Sequence, residues 1–267
     1  MIGKDPLDLD GQVALVTGAG QGAGRGIALA LAHHNAGGVA VNDFVLERAE
    51  AVAGEIRELG VPAVAVQADV GERSSVAAAF GKATAALGPI TLLVNNAGNA
   101  GPQRDMGFSP PFWEADPEEW DRFMRTNLFG VMNCCHIAIP AMIEQGRGRV
   151  VTVVSDSGRV GEARLAAYSA AKAGAAALMR SLAKETGKHN ITCNAISLST
   201  LEPAMDAEQL EQLYANERVK AQLSRYTIRR FGQPEDVANM ALFLCSEAAA
   251  WITGQTYPVN GGYSFAQ

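Results

Sequence analysis

Tyr168 and Lys172 stand four residues apart in the run Tyr168-Ser169-Ala170-Ala171-Lys172, and Ser155 lies thirteen residues before the tyrosine. On a helix, positions four apart share a face, so a phenol and an ammonium would stand side by side. A phenol has a reference pKa of about 10, and acid/base work near neutral pH asks it to fall by roughly 2–3, worth about 3–4 kcal/mol. A lysine held close has the right sign of charge for that. A serine hydroxyl could then orient and polarise a substrate oxygen. Taken alone, a Tyr–Lys pair at this spacing is most often an ordinary contact on a helix surface.

A second cluster lies near the start of the chain. Thr17-Gly18-Ala19-Gly20-Gln21-Gly22-Ala23-Gly24 follows an apolar run and opens into a helical pattern. Glycines let the backbone turn sharply and approach a pyrophosphate, whose charge the free N–H groups of a helix N-terminus attract. A glycine-rich turn with no ligand has the same composition. Asp43, nineteen residues after Gly24, stands where a carboxylate would bond an adenosine ribose. A carboxylate there repels a 2′-phosphate, and neither Gln21 nor Phe44 supplies a compensating charge, so NAD is expected over NADP, with Arg25 the nearest cation that could oppose this.

These residues need a scaffold that brings distant segments together. Short β-branched runs at 13–17, 38–42, 63–67, 91–94, 149–154, 191–196 and 255–259 read as strands with little polar alternation, as in a parallel sheet covered on both faces. Helical patterns at 24–35, 46–59, 74–87, 117–144, 165–189 and 235–246 separate them, and Asp116, Pro117 and Glu119 mark one start as cap, first residue and third-position acid. The alternation predicts one doubly wound, Rossmann-type α/β domain over residues 1–267, with about seven parallel strands and helices on both faces.

The 267 residues, 48% hydrophobic and 19% charged with a net charge of −6, suit a globular chain and give no positive field for nucleic acid. The N-terminus has no apolar signal-like core, no run approaches the roughly 20 residues of a bilayer span, and four cysteines form no CxxC pair. A cytoplasmic protein without membrane or nucleic-acid partners is expected. His33, His34, His136 and His189 show no metal-ligand grouping, so no metal is expected. Met106, Phe108, Pro110, Pro111, Phe112 and Trp113 could wall an apolar pocket or merely anchor a long loop.

In order and spacing, the glycine turn, Asn95-Asn96-Ala97-Gly98, Asn127, Ser155 and the Tyr168–Lys172 run resemble the motifs of the short-chain dehydrogenase/reductase family. Arg230-Phe231-Gly232-Gln233-Pro234-Glu235-Asp236, Trp251-Ile252-Thr253-Gly254-Gln255 and Gly261-Gly262 resemble its 3-oxoacyl-carrier-protein-reductase-like branch. The resemblance implies that Tyr168 is the general acid/base, Lys172 lowers its pKa and bonds the nicotinamide ribose, Ser155 holds the substrate oxygen, and Asn127 positions a water in a proton relay. It implies a cofactor site made by Gly18, Gln21, Gly22, Ala23, Gly24, Asp43, Phe44, Asp69, Val70, Asn95 and Ala97, with Tyr168 and Lys172. Asp69 could equally cap a helix, and Asn95 and Asn96 could simply stabilise a turn.

Leu198-Ser199-Thr200-Leu201-Glu202-Pro203 departs from the family's Pro-Gly-x-x-x-Thr, which puts nicotinamide contacts there in doubt. Residues 200–226 would cover the substrate, and Asn260 stands where an acid often precedes the double glycine. The expected function is NAD-dependent interconversion of a secondary alcohol and a ketone. The alternatives are a 3-oxoacyl-thioester reductase and, outside catalysis, a dinucleotide-binding sensor or scaffold. A homotetramer built on the helices near Pro117 and Leu165 is implied by the resemblance.

Overall fold

The computed structural model describes residues 5–99 and 110–265. Seven strands, β1 (Val13–Val16), β2 (Gly38–Asp43), β3 (Ala63–Gln67), β4 (Ile90–Asn95), β5 (Gly148–Ser155), β6 (Ile191–Leu198) and β7 (Thr256–Val259), form one sheet in the order β3-β2-β1-β4-β5-β6-β7. Every pairing is parallel. β1, β2, β4 and β6 are buried along their whole length, which explains why their sequences run apolar instead of alternating.

Helices α1 (Gly22–His33), α2 (Leu46–Glu58) and α10 (Pro234–Cys245) cover one face through Ile27, Leu31, Val52, Ile56 and Leu242. Helices α3 (Arg73–Leu87), α5 (Gly130–Gln145) and α7 (Ala166–Thr186) cover the other through Phe80, Met142 and Met179. The chain leaves the β3 edge and re-enters the sheet at β4 beside β1, so the loops after β1 and β4 diverge and leave a crevice at their carboxyl ends. The glycine turn and the Asn95–Gly98 turn are those two loops.

Three departures from the expected elements matter. The helix expected at 117–144 is α4 (Glu118–Met124), a π-helical turn over Arg125–Phe129, and then α5. The Asp116 side chain accepts the Glu118 N–H at 3.0 Å and so starts the helix. By length and composition Glu118–Gln145 is apolar enough to cross a membrane, contrary to expectation, but α5 packs against β4, β5, α3 and α7. A short helix α6 (Ser157–Val160) follows β5, and the segment 200–226 contains α8 (Ala207–Ala215) and α9 (Glu217–Leu223). Met106 and Phe108 lie outside the described residues; Phe112 stacks on Trp120 at 5.1 Å, which anchors that end of the loop.

Candidate active site

A cavity of about 540 Å³ opens at the crevice, lined by Gly18, Gln21, Gly22, Ala23, Gly24, Asp43, Phe44, Asp69, Val70 and Ala97 among others. Ten of the expected cofactor residues therefore share one wall of space, though they come from four strand ends. Asn95 does not line it. Its side chain is buried, donating to Thr152 Oγ1 at 3.2 Å, so it joins β4 to β5 instead. Asn96 takes the cavity position and donates to the carbonyls of Thr17 and Gly18, both at 3.0 Å, which ties the two loops together. Gly24 permits that closeness: a Cβ there would sit 2.2 Å from the Gly18 carbonyl oxygen.

The donor set fits a dinucleotide. At the N-terminus of α1, Gln21 makes no side-chain cap bond and the first turn holds no acid, so its N–H groups are left for an anion. Asp43 accepts the N–H of Gly20 through Oδ2 and of Val45 through Oδ1, both at 3.0 Å, which fixes its carboxylate while leaving lone pairs for a ribose. Asp69 accepts the Gly71 N–H at 2.9 Å in a turn, and α3 starts beyond it at Arg73, so Asp69 does not cap that helix. Arg25 is committed to Glu55 through two nitrogens. Arg48, which the sequence did not single out, lines the same cavity as Asp43. Asn99 and Thr126 line it as well, joined side chain to side chain at 3.2 Å.

Tyr168 and Lys172, also expected at the cofactor, do not line this cavity. Ser155 closes β5, and Tyr168 projects from the first turn of α7 to hydrogen-bond with it. Ser157 Oγ also donates to Ser155 Oγ at 2.9 Å. Lys172, one turn on, is buried and donates to the Val153 carbonyl at 3.0 Å, its Nζ 5.8 Å from the centre of the Tyr168 ring. Burial pushes the Tyr168 phenol up, with the Ser155 hydrogen bond pulling the other way, and burial brings Lys172 down to about 8. The depressed phenol expected from a neighbouring lysine is thus absent in this arrangement, because the ammonium is turned to the β5 backbone.

A Cβ on Gly98, which lines the cofactor cavity, would lie 2.9 Å from Asn127 Oδ1 and 3.0 Å from Lys172 Nζ, so both side chains converge on that loop. Asn127 sits in the π-turn, fully buried, and exchanges hydrogen bonds with the Asn99 backbone, accepting its N–H at 3.2 Å and donating to its carbonyl at 2.9 Å. Its amide is therefore spent on holding the β4 loop.

A second cavity, of about 330 Å³, is lined by Tyr168 and Ser155 together with Leu198, Ser199, Thr200, Tyr226 and Tyr263. The altered segment follows its own path: Leu201 pairs with Gly232, Ser199 Oγ meets the Tyr226 hydroxyl at 2.5 Å, and Gln222 donates to Thr200 Oγ1 at 3.1 Å. Beneath it, Asp156 is buried and accepts from Ser197 (2.7 Å), Arg159 (2.9 Å), Asn260 (2.6 Å) and Ser264 (3.0 Å). Asn260 supplies an N–H₂ where an acid would set two carboxylates face to face, which gives that variation a physical reason.

The family described as enoyl-(acyl carrier protein) reductase matches residues 18–264 of the chain. The chain belongs to the short-chain dehydrogenase/reductase family. It is 35% identical over 262 residues to the 7α-hydroxysteroid dehydrogenase of Escherichia coli, covering 98% of each, and 39% identical over 250 residues to the 3-oxoacyl-acyl-carrier-protein reductase FabG of Staphylococcus aureus, covering 93% of this chain and 96% of that one. Among solved structures it matches a 7α-hydroxysteroid dehydrogenase complexed with NADH and 7-oxoglycochenodeoxycholic acid, with a TM-score of 0.86 and 33% identity over 98% of both chains. It also matches a gluconate 5-dehydrogenase of Burkholderia cenocepacia in complex with NADP and tartrate, with a TM-score of 0.85 and 30% identity over 97% of both. The protein is an oxidoreductase of this family, which uses a nicotinamide dinucleotide.

Proposed function

We propose that the protein is an NAD-dependent dehydrogenase that interconverts a secondary alcohol and a ketone, with Tyr168 as general acid/base. The observation that carries this is that Tyr168 is hydrogen-bonded to Ser155 on the wall of the smaller cavity, while Lys172 Nζ comes close to Gly98, which lines the cavity at the glycine turn. Gly22 and the first turn of α1 would hold the pyrophosphate, Asp43 the adenosine ribose, Asp69 and Val70 the adenine, and Lys172 the nicotinamide ribose. When bound, NAD supplies the hydride acceptor. Ser155 holds the substrate oxygen, and Tyr168 takes the hydroxyl proton as the carbinol carbon gives up hydride, so the sum is ketone, reduced cofactor and one proton. Asn127 keeps the Gly98–Asn99 backbone in place beside Lys172.

NAD is favoured because the fixed Asp43 carboxylate faces the ribose position and Arg25 is tied to Glu55. Arg48 carries the second reading, an NADPH-linked reductase acting on 3-oxoacyl thioesters, since a guanidinium on that wall could meet a 2′-phosphate. Initial rates with both cofactors decide between them: a higher kcat/KM for NAD supports the first and a higher kcat/KM for NADPH the second. A panel of bile acids, aldonates, simple secondary alcohols and 3-oxoacyl thioesters, with Tyr168→Phe as control, tests the chemistry itself. The proposed assembly is a cytoplasmic homotetramer, supported by the exposed Phe129, Met132 and Ile143 on the long α4–α5 helix, and sedimentation tests it.

A further inference from the structure

The cavity beside Tyr168 has an uneven distribution of charge. Asp156, Glu162 and Arg225 are the charged side chains that line it; Asp156 is buried and paired with Arg159, and Tyr263 bonds both Glu162 and Arg225. Arg225 donates to the Tyr263 hydroxyl at 2.7 Å, with its guanidinium carbon 5.0 Å from the ring centre, and Tyr263 in turn donates to Glu162 at 3.0 Å. The ring therefore orients the guanidinium without neutralising it; burial and Glu162 push the Tyr263 phenol up, so it stays an uncharged donor. Among the described residues no carboxylate lies within ion-pair distance of Arg225. An arginine has five N–H donors, and its contact with Tyr263 uses one nitrogen.

An oriented, unpaired guanidinium at the mouth of a catalytic cavity is suited to a planar anion. Glu162 limits how much negative charge the same rim tolerates, so a single carboxylate fits better than a dianionic phosphate. Hydroxyls of Ser155, Ser199, Thr200 and Tyr226 line the cavity beside Leu165 and Leu198, so it can take the polar groups of a hydroxy acid along with its carbon chain. We propose that Arg225 anchors a substrate carboxylate and that the substrate class is small hydroxy acids and their keto counterparts. The proposal rests on the dehydrogenase reading and deepens it.

The test uses the intact protein and a series of secondary hydroxyalkanoates, 3-hydroxybutanoate, 4-hydroxypentanoate and 5-hydroxyhexanoate, each against its uncharged amide. At least one acid should surpass its amide in kcat/KM, mainly through KM, by about 10- to 100-fold. Arg225→Met, which keeps the length of the stem, should collapse that ratio, and Arg225→Lys should restore part of it. Equal use of acids and amides, or a ratio unmoved in Arg225→Met protein of unchanged melting temperature, overturns the proposal. A binding arm separates it from the dehydrogenase reading: calorimetric titration of the same acids and amides into NADH-loaded Tyr168→Phe protein. Acid-selective binding that depends on Arg225 without turnover in wild type supports the anchor and sinks the dehydrogenase reading; turnover of amides alone does the reverse. Neither binding nor turnover of the acids overturns the anchor.

Discussion

The cavity at the glycine turn and the one beside Tyr168 are built differently. The cofactor side is a direct extension of the main core: Asp43 ends β2, Asn95 ends β4, and Gly24 and Ile27 belong to a helix packed on the sheet. The substrate side rests on a small separate cluster, Val219, Leu223, Tyr226 and Phe231, and α8 buries no residue at all. Hydrogen bonds to the Asp156 and Glu202 carboxylates, and between Ser199 and Tyr226, do much of the work there that packing does on the other side. A cofactor cradle fused to the core cannot change without harm to the fold, whereas a cap held by its own small cluster and a few polar ties can be rebuilt for a new substrate.

The comparison can be broken at its centre and then at either side. Tyr168→Phe should lower kcat/KM by about 10³–10⁴-fold while NADH binding, followed by fluorescence, persists; a loss below tenfold would remove Tyr168 from the chemistry. Lys172→Met should act oppositely on activity and stability. Its pKa falls from 10.5 to about 8 on folding, so below about pH 8 the buried ammonium destabilises the fold by about 3 kcal/mol. Between about pH 8 and 10.5 the unfolded chain holds the proton and the folded one does not, so this penalty fades as pH rises. Urea denaturation should find the variant more stable at pH 7, with the advantage shrinking towards pH 10, and inactive throughout.

On the substrate side, Asp156→Ala strands Arg159 and Asn260 and should cost about 3 kcal/mol, read by denaturation, with KM disturbed more than NADH affinity. Equal losses in both would mean the network serves the whole fold and not the cap. On the cofactor side, Gly24→Ala should cost about 1–3 kcal/mol through overpacking and weaken NADH binding. The smallest effect is expected from Asp43→Ser, a shift of about tenfold in the NADP-to-NAD preference, to be followed by a further shift back when Arg48→Gln is added. If Arg48→Gln alone leaves NADP kinetics unmoved, Arg48 plays no part in cofactor choice.

The same asymmetry governs what the sequence discloses. Strand runs, the glycine turn and the carboxylate at the end of β2 are visible because burial on two faces and tight turns restrict residue type locally. Arg48 is not, since nothing at position 48 marks an exposed residue on the first turn of α2 as facing a cavity. Asp156 reads as one more polar residue beside a serine; its four partners come from positions up to 108 residues away, a distance no local pattern spans. The helices of 207–223 are only nine and seven residues long, too short for a pattern to stand out along the chain. Asn95 was readable as a motif, but only the pairing of β4 with β5 shows that its side chain turns away from the cavity.

The π-turn at Arg125–Phe129 has one more consequence. Five residues occupy a length of helix that an α-helical turn fills with about four, so the segment holds one residue more than a continuous rod needs. Removing one residue from 125–129 would let the rod close into an uninterrupted α-helix and would spin everything upstream by roughly 100° relative to α5. Such a deletion should leave a well-formed, even sturdier, long helix and yet detach Asn127 from the Asn99 backbone. In this stretch of chain, a gain in regularity would be a loss of function.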